Sequence, residues 1–194
     1  DERLERMWSH ELVRGIRHNI QFNPPGFALQ ENFIRGINKV LRAGRHFELC
    51  LTHEQLGECV ELVGVLPAQP LMLDHCAKPG IKAGEIDLWK KNIAQMAQFE
   101  NVHCKVSGLL TEADTEAWTD ADILPYLDHV RECFGVDRIL FGGDWPVSTL
   151  AGGYAAWHRL IEGWCAGWSD DERNAFYTAN AEAFYRLPKA AKVS

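Results

Sequence analysis

Five stretches of the chain carry apolar residues in runs or in alternation and end on polar ones. They are GIRHNIQF (15–22), FELCLT (47–52), PLMLDH (70–75), VHCKVSG (102–108) and RILFGGD (138–144). Their length and apolar content predict strands. Helical patterns lie between them. ENFIRGINKVLRAG ends in Gly44, a helix-terminating glycine. THEQLGECVELVGVL opens on Thr52 with Gln55 three residues on, a capping box. DLWKKNIAQMAQF has apolar residues at 88, 89, 93, 96 and 99, a helical period. DADILPYLDHVRECFG ends in Gly135, and GYAAWHRLIEGWC and SDDERNAFYTANAEAFYRL follow the last strand, the latter opened by Ser169 as N-cap.

Strand and helix alternate at about 25 to 35 residues, the size of a βα unit, which predicts an α/β fold with a parallel sheet. A doubly wound sheet and a β/α barrel both fit that alternation. Side-chain parity separates them. Ile16, Ile20 and Phe22 oppose Arg17, Asn19 and Gln21; Phe47, Leu49 and Leu51 oppose Glu48, Cys50 and Thr52. Val102, Cys104 and Val106 oppose His103, Lys105 and Ser107; Ile139 and Phe141 oppose Gly142 and Asp144. One face is apolar and the other polar, whereas a doubly wound sheet covered on both sides wants two apolar faces. The polar set suits the interior of a (β/α)8 TIM barrel, with its site at the C-terminal ends of the strands.

Eight βα units take about 250 residues. This chain has 194 and opens in a helical pattern, DERLERMWSHEL. The expectation is therefore one domain, 1–194, holding the C-terminal five βα units of a barrel with its first three strands missing. A sheet with two raw edges is expected to form a homo-oligomer or to be marginally stable.

Composition narrows the function. Net charge is -7, with 20 Lys+Arg against 27 Asp+Glu, which argues against nucleic acid as a partner. No apolar run approaches the ~20 residues of a membrane span. The opening DERLERMWSH lacks the apolar segment of a signal peptide. Six cysteines without a C-x-x-C pair read as buried free thiols in a reducing compartment, which predicts a cytoplasmic protein. Neither G-x-G-x-x-G nor a P-loop is present, which weighs against nucleotide binding.

Polar residues gather at strand ends. Asp144 either caps a following helix or faces a pocket as a general base. His75 is either a core histidine or a group that ligates metal or hydrogen-bonds a carbonyl oxygen. Arg17 suits a carboxylate or sugar hydroxyls, or an internal pair with Glu48. Gln21 and Lys105 line the polar face, and Lys105 and Ser107 serve either substrate or structure. Trp145 offers a flat apolar face to a sugar ring or plugs the barrel. His18 has outward parity and a structural role, and Trp157, Trp164 and Trp168 read as helix-to-barrel packing.

GIRHNIQ, FELCL, LDHCAKPG, KVSGL, FGGDWPV and NAEAFYRL, in that order, resemble the amidohydrolase-2 branch of the metal-dependent amidohydrolase superfamily. The likeness is to its sugar-lactonase-like members, such as L-fuconolactone and L-rhamnonolactone hydrolases, and runs from about residue 13 to 187. It implies a TIM-barrel hydrolase that opens a small-molecule lactone by water attack at the carbonyl. It places His75 at the end of the sixth barrel strand and Asp144 at the end of the eighth, as catalytic residues and as metal ligands. Arg17, Gln21, Lys105 and Trp145 are then substrate-binding. The cofactor implied is one divalent metal, zinc, although some members use none. The H-x-H pair of the family's first strand does not occur in this chain. The alternatives are a metal-dependent decarboxylase of the same superfamily and a non-catalytic truncated barrel.

Overall fold

A computed structural model describes residues 2–187 of the chain; Asp1 and 188–194, the ends of the expected domain, lie outside the described residues. Helix α1 (Glu2–Trp8) precedes five strands: β1 (Gly15–Asn19), β2 (His46–Cys50), β3 (Leu71–Leu73), β4 (Val102–Val106) and β5 (Ile139–Phe141). Helices α2 (Glu31–Arg42), α3 (Leu56–Val65), α4 (Asp87–Met96) and α5 (Asp120–Phe134) join successive strands. After β5 come α6 (Gly153–Trp164), α7 (Asp170–Asn174), a π-helical turn over Ala175–Ala179, and α8 (Asn180–Tyr185).

The strands pair in parallel in the order β1-β2-β3-β4-β5. That order never reverses, so there is no switch point at which helices would cross to the other face, as in a doubly wound sheet. The sheet is an arc of a β/α barrel. Its outer face packs Leu49, Leu71, Leu73, Val102, Val106 and Ile139 against the helical residues Ile37, Leu62, Ile93, Leu127 and Trp157 in one core. The inner face carries Arg17, Glu48, Asp74, Lys105 and Ser107 toward the C-terminal ends of the strands. It is not polar throughout: Met72 and Leu140 form a second small core with Phe184 of α8. Phe184 also packs at a tilt against the rings of His46 and His103, both at ring separations of 5.0 Å.

Caps follow the sequence closely. The Thr52–Gln55 box forms, although it opens a 3-10 turn ahead of α3. The box at Ser169 forms with Glu172. In α4 the helical stripe holds for Trp89, Ile93 and Met96, but Leu88 is 64% exposed. The strands are shorter than their apolar runs predict. Expected strand 15–22 ends at Asn19, and Ile20–Phe22 turn into a 3-10 helix that leaves Phe22 exposed. Expected strands 70–75 and 138–144 retain three residues each.

Candidate active site

His75 reaches the inner face by a left-handed turn. Leu71 and Leu73 face outward and Met72 inward, so simple alternation would put Asp74 inside and His75 outside. Instead His75, Cys76, Ala77 and Lys78 take φ of 53°, 51°, 59° and 44°. Four consecutive non-glycine residues in that region cost roughly 1–2 kcal/mol each, so surrounding contacts must hold the turn. The Trp89 indole donates to the Cys76 carbonyl at 2.8 Å, and the Lys78 amide donates to the His75 carbonyl at 2.8 Å.

Asp144 likewise leaves strand geometry, with φ of 47°. Its side chain caps no helix. The 3-10 turn that follows, Val147–Ala151, has no side-chain cap, and α6 begins only at Gly153. The carboxylate Oδ1 lies 3.6 Å from His75 Nε2, with both side chains largely buried. On its other side the His75 ring is fixed by Ser107, whose Oγ is 2.8 Å from Nδ1.

Glycines make the room for this pair. A Cβ on Gly108 (φ +71°) would stand 3.0 Å from both Asp144 Oδ2 and His75 Nδ1. Gly142 and Gly143 serve space rather than conformation: added Cβ atoms would meet Ser107 at 3.0 Å and Tyr154 at 2.9 Å. The Trp157 indole holds this loop by donating to the Gly142 carbonyl at 2.8 Å.

Below the pair lies an ionic network. Lys105 Nζ donates to Asp74 Oδ1 at 2.6 Å and to Glu48 Oε2 at 3.0 Å. The Tyr185 hydroxyl donates to Glu48 Oε1 at 2.8 Å. Arg17, 48% exposed in its side chain, sits 3.8 Å from Asp74 Oδ2. Its neighbour is thus Asp74 rather than Glu48: Lys105 and Tyr185 take both Glu48 oxygens, whereas Lys105 takes only Oδ1 of Asp74 and leaves Oδ2 open. Asp74 is fully buried, and its Oδ2 has no hydrogen-bond partner.

The network sets the protonation of the site. Burial pushes His75 down to about 3, and the positive charges of Lys105, Lys78 and Arg17 add to it, so the ring is neutral near pH 7. Burial pushes the Asp144 carboxyl up, against the pull of Lys78, Arg17 and Lys105. Burial also raises Asp74, against Lys105. Glu48 is raised by burial but held down overall by His46, Lys105 and Tyr185.

The sequence-predicted residues separate accordingly. His75 and Asp144 meet, and Arg17 stands beside them at the open side. Lys105 is committed to two carboxylates. Trp145 follows Asp144 but is 75% exposed. Gln21 lies in the 3-10 turn beyond β1, where strand parity no longer applies, and makes no hydrogen bond among the described residues. His18 is structural: it stacks on Phe27 and pairs with Asn23 at 2.9 Å. Asp74 shares the inward parity of Met72 on β3, so alternation is the signal that marks it. Cys50 is one of the buried free thiols, and no local motif marks it.

The geometry admits a cation between His75 and Asp144. Donors about 2.1 Å from a tetrahedral zinc lie about 3.4 Å apart, close to the 3.6 Å seen here. Cys50, Asp74 and His75 form a further group whose donor atoms lie within 4.8 Å of one another.

Comparison with known proteins agrees with this geometry. The amidohydrolase family model matches residues 1–187. The chain is 34% identical over 160 residues to an L-fucono-1,5-lactonase of Burkholderia ambifaria, covering 79% of this chain and 54% of that protein. It is 31% identical over 196 residues to an L-fucono-1,5-lactonase of Burkholderia multivorans, covering 95% and 66%. A crystal structure of a Burkholderia multivorans amidohydrolase with bound zinc superposes at a TM-score of 0.86 and 31% identity, covering 90% of this chain and 65% of that one. That neighbour identifies the arc as part of a TIM barrel. The chain spans about two thirds or less of the length of these relatives.

Proposed function

Since the chain belongs to the amidohydrolase family, we propose that it works as a hydrolase that opens a sugar lactone or related small cyclic ester. The observation that carries this is the buried pairing of a neutral His75 with Asp144 at 3.6 Å, at the C-terminal mouth of a barrel arc. The lactonases among its relatives support the substrate class.

In this reading a water attacks the lactone carbonyl and Asp144 takes its proton. The new C–O bond forms as the ring C–O bond breaks, and the proton passes to the departing ring oxygen. The products are a hydroxyl and a carboxylic acid, which releases its remaining proton to solvent as the carboxylate. His75, oriented by Ser107, faces the carbonyl oxygen with Nε2. Arg17 offers its fork to sugar hydroxyls or to the forming carboxylate, and Trp145 and Gln21 contribute from the rim. Lys105 acts on substrate through the charge of its network rather than by contact. A divalent cation such as zinc, held by His75 Nε2 and Asp144, would replace that ring N–H in polarising the carbonyl and would acidify the water. Six unpaired cysteines support a reducing, cytoplasmic setting for the domain; no described helix is long and apolar enough to cross a membrane.

The test is a pH-indicator assay of acid release over a panel of aldonolactones, with this chain and with Asp144→Asn. Loss of a general base lowers the rate ~10²–10⁴-fold. Equal rates for the two proteins would overturn Asp144 as the base, and an inert chain on every lactone would overturn the reaction class.

A further inference from the structure

We propose that Cys50 and Asp74 complete, together with His75, a thiolate-containing site for a soft divalent cation of the zinc and cadmium type. Three features support it. Cys50 Sγ, a carboxylate oxygen of Asp74 and a ring nitrogen of His75 already lie within 4.8 Å of one another. Zinc bonds of about 2.0–2.3 Å put donors roughly 3.3–3.8 Å apart, so closure needs movements of about 1 Å. Next, the donors are preset. Ser107 holds His75 Nδ1, which leaves Nε2 for a ligand. Lys105 holds Asp74 Oδ1, which leaves Oδ2, a fully buried acceptor without a hydrogen bond. A buried orphan oxygen is costly and is relieved by a cation.

Charge is the third feature. Glu48, Asp74 and Asp144 face Lys105 and Arg17 across this space, with Lys78 drawn to Glu112 at 3.5 Å; burial and the neighbouring Asp74 push the Cys50 thiol up, so it adds its negative charge only as a cation displaces its proton. The balance is then two negative charges, the complement of a divalent ion. Arg17 approaches Asp74 Oδ2 only to 3.8 Å and is half exposed, so it can swing aside. On binding, the Cys50 thiol gives its proton to solvent and its sulfur bonds the metal. Thiolate selects zinc and cadmium over magnesium and calcium. Asp144 Oδ1, 3.6 Å from His75 Nε2, is within reach as a fourth ligand.

This site rests on the cation beside His75 and is independent of lactone hydrolysis. Cadmium chloride is the probe, titrated into this chain under reducing conditions. Wild type and the remote control Cys59→Ser should bind one cadmium per chain by native mass spectrometry and show the ultraviolet cadmium–thiolate charge-transfer band. Cys50→Ser should lose the band and weaken binding by more than the ~10–100-fold typical of outer-shell changes. A wild type without the band, or a Cys50→Ser variant that keeps it, overturns the site. Should Cys50→Ser fail to fold, cadmium NMR of the wild type decides. A shift in the range of one sulfur donor supports the site, and a shift in the purely oxygen and nitrogen range refutes it. An inert chain that still shows the band overturns only the hydrolase reading, and a lactonase without the band overturns only this site.

Discussion

Ser107 Oγ stands 2.8 Å from His75 Nδ1 and so decides which nitrogen of the imidazole faces Asp144. Replacing Ser107 with alanine removes that orientation and leaves a buried ring nitrogen unsatisfied. The expected cost is ~1–3 kcal/mol of stability and a ~10–100-fold loss of activity. Urea denaturation and lactonase kinetics measure the two. A variant with wild-type kcat/KM would show that the ring is positioned by packing alone.

Gly108 sits opposite the same pair. Its φ of +71° is unfavourable for a side chain, and a Cβ would press on Asp144 and His75 at 3.0 Å. Gly108→Ala is therefore expected to lose ~1–3 kcal/mol from backbone strain alone and to push the two groups apart. Thermal melting and the Asp144-dependent rate should fall together. A stable Gly108→Ala chain with full activity would mean that the pair has slack.

Acid should destabilise the fold through His75. Its folded pKa of about 3 lies below the ~6.5 of an unfolded histidine. Between those values the unfolded chain binds the extra proton, so stability is present above ~6.5 and is lost as pH falls toward 3. Urea titrations of wild type and His75→Gln at pH 7 and pH 5 isolate the effect. The variant's curve should be flatter in that window. In the kinetics, kcat/KM should show an acid limb from Asp144 above the ~3.9 of a free aspartate, and none from His75 near ~6.5.

Much of this was legible in the chain, though not always for the stated reason. Alternation along β1, β2 and β4 announced a two-faced sheet, and its unreversed order is what the barrel reading required. Asp144 was assigned an inward side by counting along a strand to 144, yet β5 stops at Phe141. The carboxylate arrives through a left-handed residue instead. His75 is the same case. Period-2 counting turns it outward, and only the run of positive φ from His75 to Lys78 brings it in. Such turns are fixed by tertiary contacts, here the indole of Trp89, which one-dimensional patterns do not contain. The partners of Lys105 and the nearness of Cys50 to Asp74 join separate strands, so no local spacing reports them.

Lys105 holds two carboxylates in a buried setting. Its ammonium is kept charged because Asp74 and Glu48 outweigh the effect of burial. Lys105→Met removes one partner and strands the others, at an expected cost of ~3–5 kcal/mol. Glu48 retains Tyr185, whereas Asp74 keeps only Arg17 at 3.8 Å. Asp74, already raised, should rise further. A group whose folded pKa exceeds its unfolded value loses stability as pH rises through it. The deficit of the variant should thus be large at pH 7 and shrink toward pH 5. Adding Asp74→Asn should recover part of it at pH 7, as read by chemical denaturation. A deficit that is the same at both pH values would rule out Asp74 as its source.

Strands β1 and β5 each have a neighbour on one side only among the described residues. Unpaired amide and carbonyl groups along such edges template further pairing. The loops beside them expose Phe22, Trp145 and Leu150 at 78%, 75% and 71%. Apolar surface next to a raw edge favours association. The isolated chain is therefore expected to self-associate, with a sedimentation coefficient that rises with concentration, or to melt at low temperature with poor cooperativity. Phe22→Lys and Leu150→Lys place charge at the two sides and should lower association without touching His75 or Asp144. Sedimentation velocity over a concentration series and calorimetry test this together. A concentration-independent monomer with a high, cooperative melting transition would show that the edges are satisfied within one chain.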